Sequence, residues 1–265
     1  MAEESFIILN DVLIKAVSSI GFQTEETQES TFLLNSTGFN RKIAAPPKTT
    51  CNIEKYLILN DFVKTLTGNT AISGQFIHEE KALDFSDGVI SSYNVSASNG
   101  SLPSISFSID IFGDFKPGEK KSLIAPNTTE EEDVVSGLFG APTTGFSINI
   151  DNSSNFVQSF NYSVDFNISP TYEIDSIKSS TVKILPPVTY QANAVFEVNN
   201  ETLEDVTGLL NSETFNRTVF FDVGTTGSIF QNIFSVPNAS LRSQSITQNA
   251  ADTTQISLSF VGYST

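Results

Sequence analysis

Apolar and polar residues alternate with a period of two over much of the chain. Ile105, Phe107, Ile109 and Ile111 are separated by Ser106, Ser108 and Asp110; Ile256, Leu258 and Phe260 are separated by Ser257 and Ser259. Such alternation predicts strands with one buried and one wetted face, the habit of antiparallel sheets. Phe156, Gln158, Phe160, Tyr162, Val164, Phe166 and Ile168 share a parity and predict one long strand. Asn99-Gly100 is a tight hairpin signal, and Asn249-Ala250 stands in the matching place. The period changes at Asp61-Phe62-Val63-Lys64-Thr65-Leu66, which ends at Gly68 and reads as a short helix capped by Asn60 or Asp61. A second helix is predicted over Glu201–Val206, capped by Asn200, with early carboxylates that suit the positive helix start.

The chain also matches itself. At an offset of 140 residues Phe6, Ile8 and Asp11 fall on Phe146, Ile148 and Asp151, and Ile20 and Phe22 fall on Phe160 and Tyr162. Pro46-Pro47 falls on Pro186-Pro187, Tyr56 on Phe196, and Leu66-Thr67-Gly68 on Val206-Thr207-Gly208. Near the ends the offset becomes 149, placing Phe107, Ile109 and Ile111 on Ile256, Leu258 and Phe260. Order and parity hold throughout, which is the signature of a duplicated module. The match also settles a local ambiguity: Asp11–Ser19 alone fits an amphipathic helix, but its counterpart is strand. The expected fold is therefore mainly β, with two tandem, homologous antiparallel β-sandwich or barrel domains, each with one short α-helix. Their expected bounds are 1–117 and 144–265, joined by a linker at 118–143 rich in turn formers and carrying the acidic run Glu130–Asp133. That run is expected to be a solvated loop or helix start.

Composition narrows the chemistry. In 265 residues, 14 Lys and Arg face 30 Asp and Glu, a net charge of −16. A grip on nucleic acid needs clustered bases to displace counterions, so none is expected. The apolar content of 39% suffices for a core, no apolar run has membrane-spanning length, and the first twenty residues lack a secretory pattern, so a soluble protein is expected. Cys51 has no second cysteine to pair with, and His78 lies at a strand end beside Glu79 and Glu80. A His/Cys zinc site or a Ser-His-Asp relay cannot be assembled from this inventory. No glycine-rich nucleotide loop is present. No catalytic residue, metal or cofactor is therefore expected. Asn-x-Ser/Thr sequons are frequent, but Asn161 and Asn167 fall within a predicted strand, and glycosylation is not expected.

The order of elements is similar to that of the tail tube proteins of tailed bacteriophages, in the subset that carries the tube domain twice. The likeness rests on a long hairpin in each half (Ala16 to Asn35; Phe156 to Ser176), then a strand, a short helix ending in Thr-Gly, and further strands. The closing segment Ile256–Tyr263 resembles that family's last strand. It is a likeness of layout over most of the chain and has no single diagnostic motif. It implies a virion protein of the phage tail, assembled in the host cytoplasm, whose homotrimeric pseudo-hexameric rings stack into an acidic tube for DNA ejection. Its partners would be itself and other tail proteins, with DNA only as passing cargo and no membrane. The hairpin tips Gln23, Thr24, Glu25, Glu26, Thr27, Gln28 and Glu29, with Ser169, Pro170 and Thr171, would then touch the next ring. Two other readings stand beside it. One is a tail hub or tail-completion ring; the other is a carbohydrate- or receptor-binding sandwich using Tyr93, Tyr172 or Tyr190.

Overall fold

The alternating segments Ser104–Ile111 and Gln255–Ser264 are strands with one buried and one wetter face. A computed structural model describes residues 5–26, 28–32, 39–43, 47–58, 61–68, 71–98, 101–121, 144–150, 153–173, 178–197, 217–225, 231–247 and 254–264. The first part contains β1 (Ser5–Leu9), β2 (Val12–Leu13), β3 (Val17–Glu25), β4 (Gln28–Phe32), β5 (Phe39–Ile43), β6 (Lys48–Tyr56), α1 (Phe62–Leu66), β7 (Ile72–His78), β8 (Lys81–Ser98), β9 (Ser104–Ile111) and β10 (Phe115–Gly118). The second contains β11 (Thr144–Ile150), β12 (Ser153–Val157), β13 (Ser159–Tyr172), β14 (Ser179–Glu197), β15 (Arg217–Thr225), β16 (Gln231–Thr247) and β17 (Gln255–Ser264). The fold is mainly β, and its sheet is open and antiparallel.

Among the described residues fifteen strands form one hydrogen-bonded system, and β4 and β5 form a separate ribbon. The strand order in the first part is β2-β1-β7-β8-β9-β6-β3; in the second it is β12-β11-β15-β16-β17-β14-β13. Local irregularities fall at the same places. The β8–β9 ladder shifts register between Ile90 and Ser92, and the β16–β17 ladder between Leu241 and Ser243. Asp87 (φ 53) and Asn238 (φ 49) both take the left-handed conformation, which Asp and Asn tolerate better than other residues with a Cβ. At these points β8 and β16 turn from one set of partners (β7, β15) to the other (β9, β17). The bend brings backbones close: a Cβ on Gly88 would lie 2.8 Å from Ile109 Cγ2 and 3.0 Å from the Ile72 carbonyl oxygen.

The two parts are joined within the sheet. β13 pairs with the end of β8, from Ser159 opposite Ser98 to Asp165 opposite Ser92. One buried cluster runs through both, holding Tyr93, Val95 and Ala97 beside Phe160, Tyr162 and Val164. Lys64 of α1 stands 5.0 Å over the Phe234 ring, and Lys178 pairs with Asp114. Helix α1 has the expected cap: Asp61 Oδ1 accepts from the Val63 backbone N at 2.9 Å, and Val63 and Leu66 face the core. After Thr67 the chain leaves through Gly68 at φ 89.

Several expectations change. The long strand from Phe156 to Ile168 is broken at Gln158, because β12 pairs with β11 whereas β13 pairs with β14 and β8. Gln158 sits at the crossing, where its Oε1 accepts from Gln255 Nε2 at 2.9 Å. The hairpin expected from Ala16 to Asn35 is replaced by two pairings: β3 pairs with β6, and β4 with β5. Gly118, placed in the linker, closes β10 opposite Ala82. Residues 122–143, the helix expected at Glu201–Val206, and the turns at Asn99-Gly100 and Asn249-Ala250 lie outside the described residues.

Candidate functional site

The two faces of the central sheet differ in kind. Ile20, Ile53, Phe107, Tyr93, Val164 and Tyr190 stand opposite one another in successive strands from β3 to β14 and face the core. One residue along, the same six strands carry Ser19, Glu54, Ser106, Asn94, Ser163 and Gln191. The next row continues to the last strands: Ser104, Ser96, Asn161, Asn193, Ser259 and Ser243. Eight strands, in the order β3-β6-β9-β8-β13-β14-β17-β16, therefore share a face built mainly from serine and asparagine. Short hydroxyl and amide side chains on a pleated surface bond to neighbours and to water without fixed charge.

Charge on this face is sparse. Glu25, Glu54, Asp110 and Asp165 lie on it, with Lys48 as a counter-charge: Lys48 Nζ is 2.8 Å from Asp110 Oδ2. Thr50 Oγ1 donates to Asp110 Oδ1 at 3.0 Å, so this carboxylate is buried beneath its partners. Ser108 Oγ donates to Asn52 Oδ1 at 2.7 Å. A shallow depression follows the joint between the two parts, lined by Asn94, Ser96, Ser104, Ser106, Asn161 and Ser163. A surface of this kind wets well.

The sheet has two open ends. Among the described residues nothing pairs with the edge of β3 that points away from β6, nor with the edge of β16 opposite β17 beyond the stretch held by β15. Ile246 on β16 is 58% exposed. Unpaired edges of this length are unusual in a protein that stays alone.

The expected contact residues are distributed differently from the sequence expectation. Gln23, Thr24 and Glu25 are not at a tip: they end β3, opposite Thr50, Thr49 and Lys48. Gln28 and Glu29 lie in β4, opposite Ile43 and Lys42. Glu26 stands between the two strands, and Thr27 lies outside the described residues. A run of Gln, Thr and Glu resembles a turn in sequence, yet Gln23, Thr24 and Glu25 are exposed strand residues. Ser169, Pro170 and Thr171 are in β13, opposite Lys183, Val182 and Thr181, near the end of the β13–β14 hairpin. Tyr93, one of the three tyrosines weighed as a sugar platform, is buried at 1% exposure, with its hydroxyl unpaired. Burial, and then the Asp61 charge, push its pKa well above the usual phenol range.

The buried pair Lys55–Asp61, in which each side chain is 1% exposed, leaves no signal in the residue pattern. Burial lowers the Lys55 pKa, and the Asp61 carboxylate opposes that shift. Cys51 is buried and free. His78 ends β7, where its Nδ1 shares a hydrogen bond with Ser5 Oγ at 2.9 Å. Among the described residues no cluster of His, Cys, Asp or Glu is placed to hold a metal ion. No helix among them is long and apolar enough to cross a membrane. The chain matches no protein-family model and no curated protein.

Proposed function

We propose that the chain is a structural protein of the phage tail-tube type. In this reading its two parts are copies of one module, and three chains close into a pseudo-hexameric ring. Rings stack into a conduit for DNA. The observation that carries the reading is the eight-strand sheet with one core face, one polar face and an open edge at each end. Joined end to end, such sheets close into a barrel, the arrangement that removes edges altogether. Twenty-four strands about 4.8 Å apart, tilted by about 40°, give a backbone diameter of roughly 50 Å. That leaves a bore wider than a DNA duplex.

The polar face suits the passage of a polyanion. Its carboxylates Glu25, Glu54, Asp110 and Asp165 outnumber its lysines Lys48 and Lys183, so phosphates find no cluster of bases to displace their counterions. Serine and asparagine keep the wall wet. β4 and β5 pair off the main sheet, which favours them for contact between rings.

The test is the shape of the purified protein under negative-stain electron microscopy, with its mass in solution. Stacked rings or tubes with a central hole are expected. Single rings that never stack would point to the hub or tail-completion role. A species that stays monomeric at high concentration would overturn the proposal; if it also bound a glycan, the recognition module would replace it.

A further inference from the structure

The chain contains a worked example of how one module joins another, and among the described residues the same two surfaces are unpaired at its ends. Inside the chain, Tyr162 of β13 stands opposite Val95 of β8, and Ser163 opposite Asn94. The matching strand orders, bulges and left-handed residues put β3 in the place of β13 and β16 in the place of β8. The correspondence can be fixed residue by residue. Asp87 and Asn238 set the offset along β8 and β16, which places Ile246 where Val95 is. The ladders β9–β6–β3 and β17–β14–β13 then place Phe22 where Tyr162 is.

We propose that the free edge of β3 pairs antiparallel with the free edge of β16 of a second copy of this chain, in the register of the internal joint. Phe22 then lies opposite Ile246, Gln23 opposite Ser245, Thr24 opposite Gln244, and Glu25 opposite Ser243. The proposal rests on the ring reading above and specifies its contact. Burial supports it. Val95 is 1% exposed in the internal joint, whereas Ile246 is 58% exposed at the open edge. Tyr162 is buried between β14 and β8, whereas Phe22, whose ring touches Phe76 and Phe115, stays half-buried with a paired strand on one side only. The pairing covers both and satisfies two rows of backbone donors and acceptors. Because the two edges differ, the contact is heterologous; such contacts give rings when the rotation closes.

The experiment uses the full chain with Gln23→Cys in one preparation and Ser245→Cys in another. Cys51 is buried and stays silent. Under mild oxidation or with a short thiol cross-linker, the mixture is expected to give covalent dimers, and neither preparation alone is. The double variant should give covalent closed rings. Moving the second cysteine to Ser243 puts it diagonal to Gln23, and the linked fraction should fall about fivefold or more, because diagonal neighbours are roughly 7–8 Å apart. Circular dichroism of each variant checks that it folds. Rings under the microscope without the 23–245 link, or a dimer from Gln23→Cys alone, would overturn this joint while leaving the ring reading standing. Folded monomers with neither rings nor links would overturn both.

Discussion

Strands β6 and β14 hold the same place in two identical strand orders, yet they fill their buried faces differently. β6 presents Cys51, Ile53 and Lys55; β14 presents Ala192, Ala194 and Phe196 in the corresponding positions. Small residues on β14 are matched by large ones beside them: Phe160 stands opposite Ala194 and Tyr162 opposite Ala192. Both rings pack on Phe234, with centroids 6.3 and 5.3 Å away, and Tyr162 Oη donates to the Ser235 carbonyl oxygen at 3.1 Å. On the other side, a buried ammonium occupies the place of the Phe196 ring, held by the residue that caps α1. One backbone arrangement thus accepts two fillings, provided that volume and charge are each balanced locally.

Four experiments break or sharpen this comparison. Asp61→Ala leaves the Lys55 ammonium buried without its partner and uncaps α1; a loss of about 3–5 kcal/mol is expected. The shift in urea midpoint measures it. Ala194→Ile brings the β6 residue into β14, where Phe160 already fills the space, and should cost about 1–3 kcal/mol by the same assay.

The third concerns alkaline pH. Burial pushes the Cys51 thiol up to about 12 from an ordinary value of 9.0. The unfolded chain releases that proton first, so this contribution is complete below pH 9 and is lost as pH rises towards 12. The limiting slope is about 1.4 kcal/mol per pH unit. Cys51→Ala, which installs the β14 residue, should have a shallower decline in a stability–pH series. The smallest effect is expected for Lys55→Met combined with Asp61→Asn, which removes both charges and keeps the capping oxygen. Its stability should lie within about 1 kcal/mol of the native protein, recovering most of what Asp61→Ala loses.

The period-2 segments were legible because each strand has a dry face and a wet one; Ile105–Ile111 and Ile256–Phe260 became β9 and part of β17 without revision. Helix α1 was legible from the change of period and from Asp61. Register was harder. Sliding the sequence by 149 put Phe107 on Ile256, whereas the ladders put Phe107 in the place of Leu258. A slip of two residues preserves every face, so apolar parity cannot detect it. The break at Gln158 was hidden for the same reason, since alternation continues across it. Lys55 went unnoticed because a charged residue in an alternating strand is ordinarily assigned to the wet face. The pairing of β13 with β8 was not legible, because its register is set by backbone hydrogen bonds between strands far apart in sequence, and alternation does not name a partner.

That union also sets how concentration acts on the molecule. The β8–β13 contact forms within one polypeptide, so dilution does not separate its halves, and its effective concentration is fixed by chain connectivity. The outer edges have no such tether, so the pairing proposed for them depends on protein concentration. Glu25 at the end of β3 and Arg242 at the β16 bulge place charge where a wrong strand would otherwise add. In the proposed ring one joint is thus made once, within the polypeptide, and the other forms or parts with dilution.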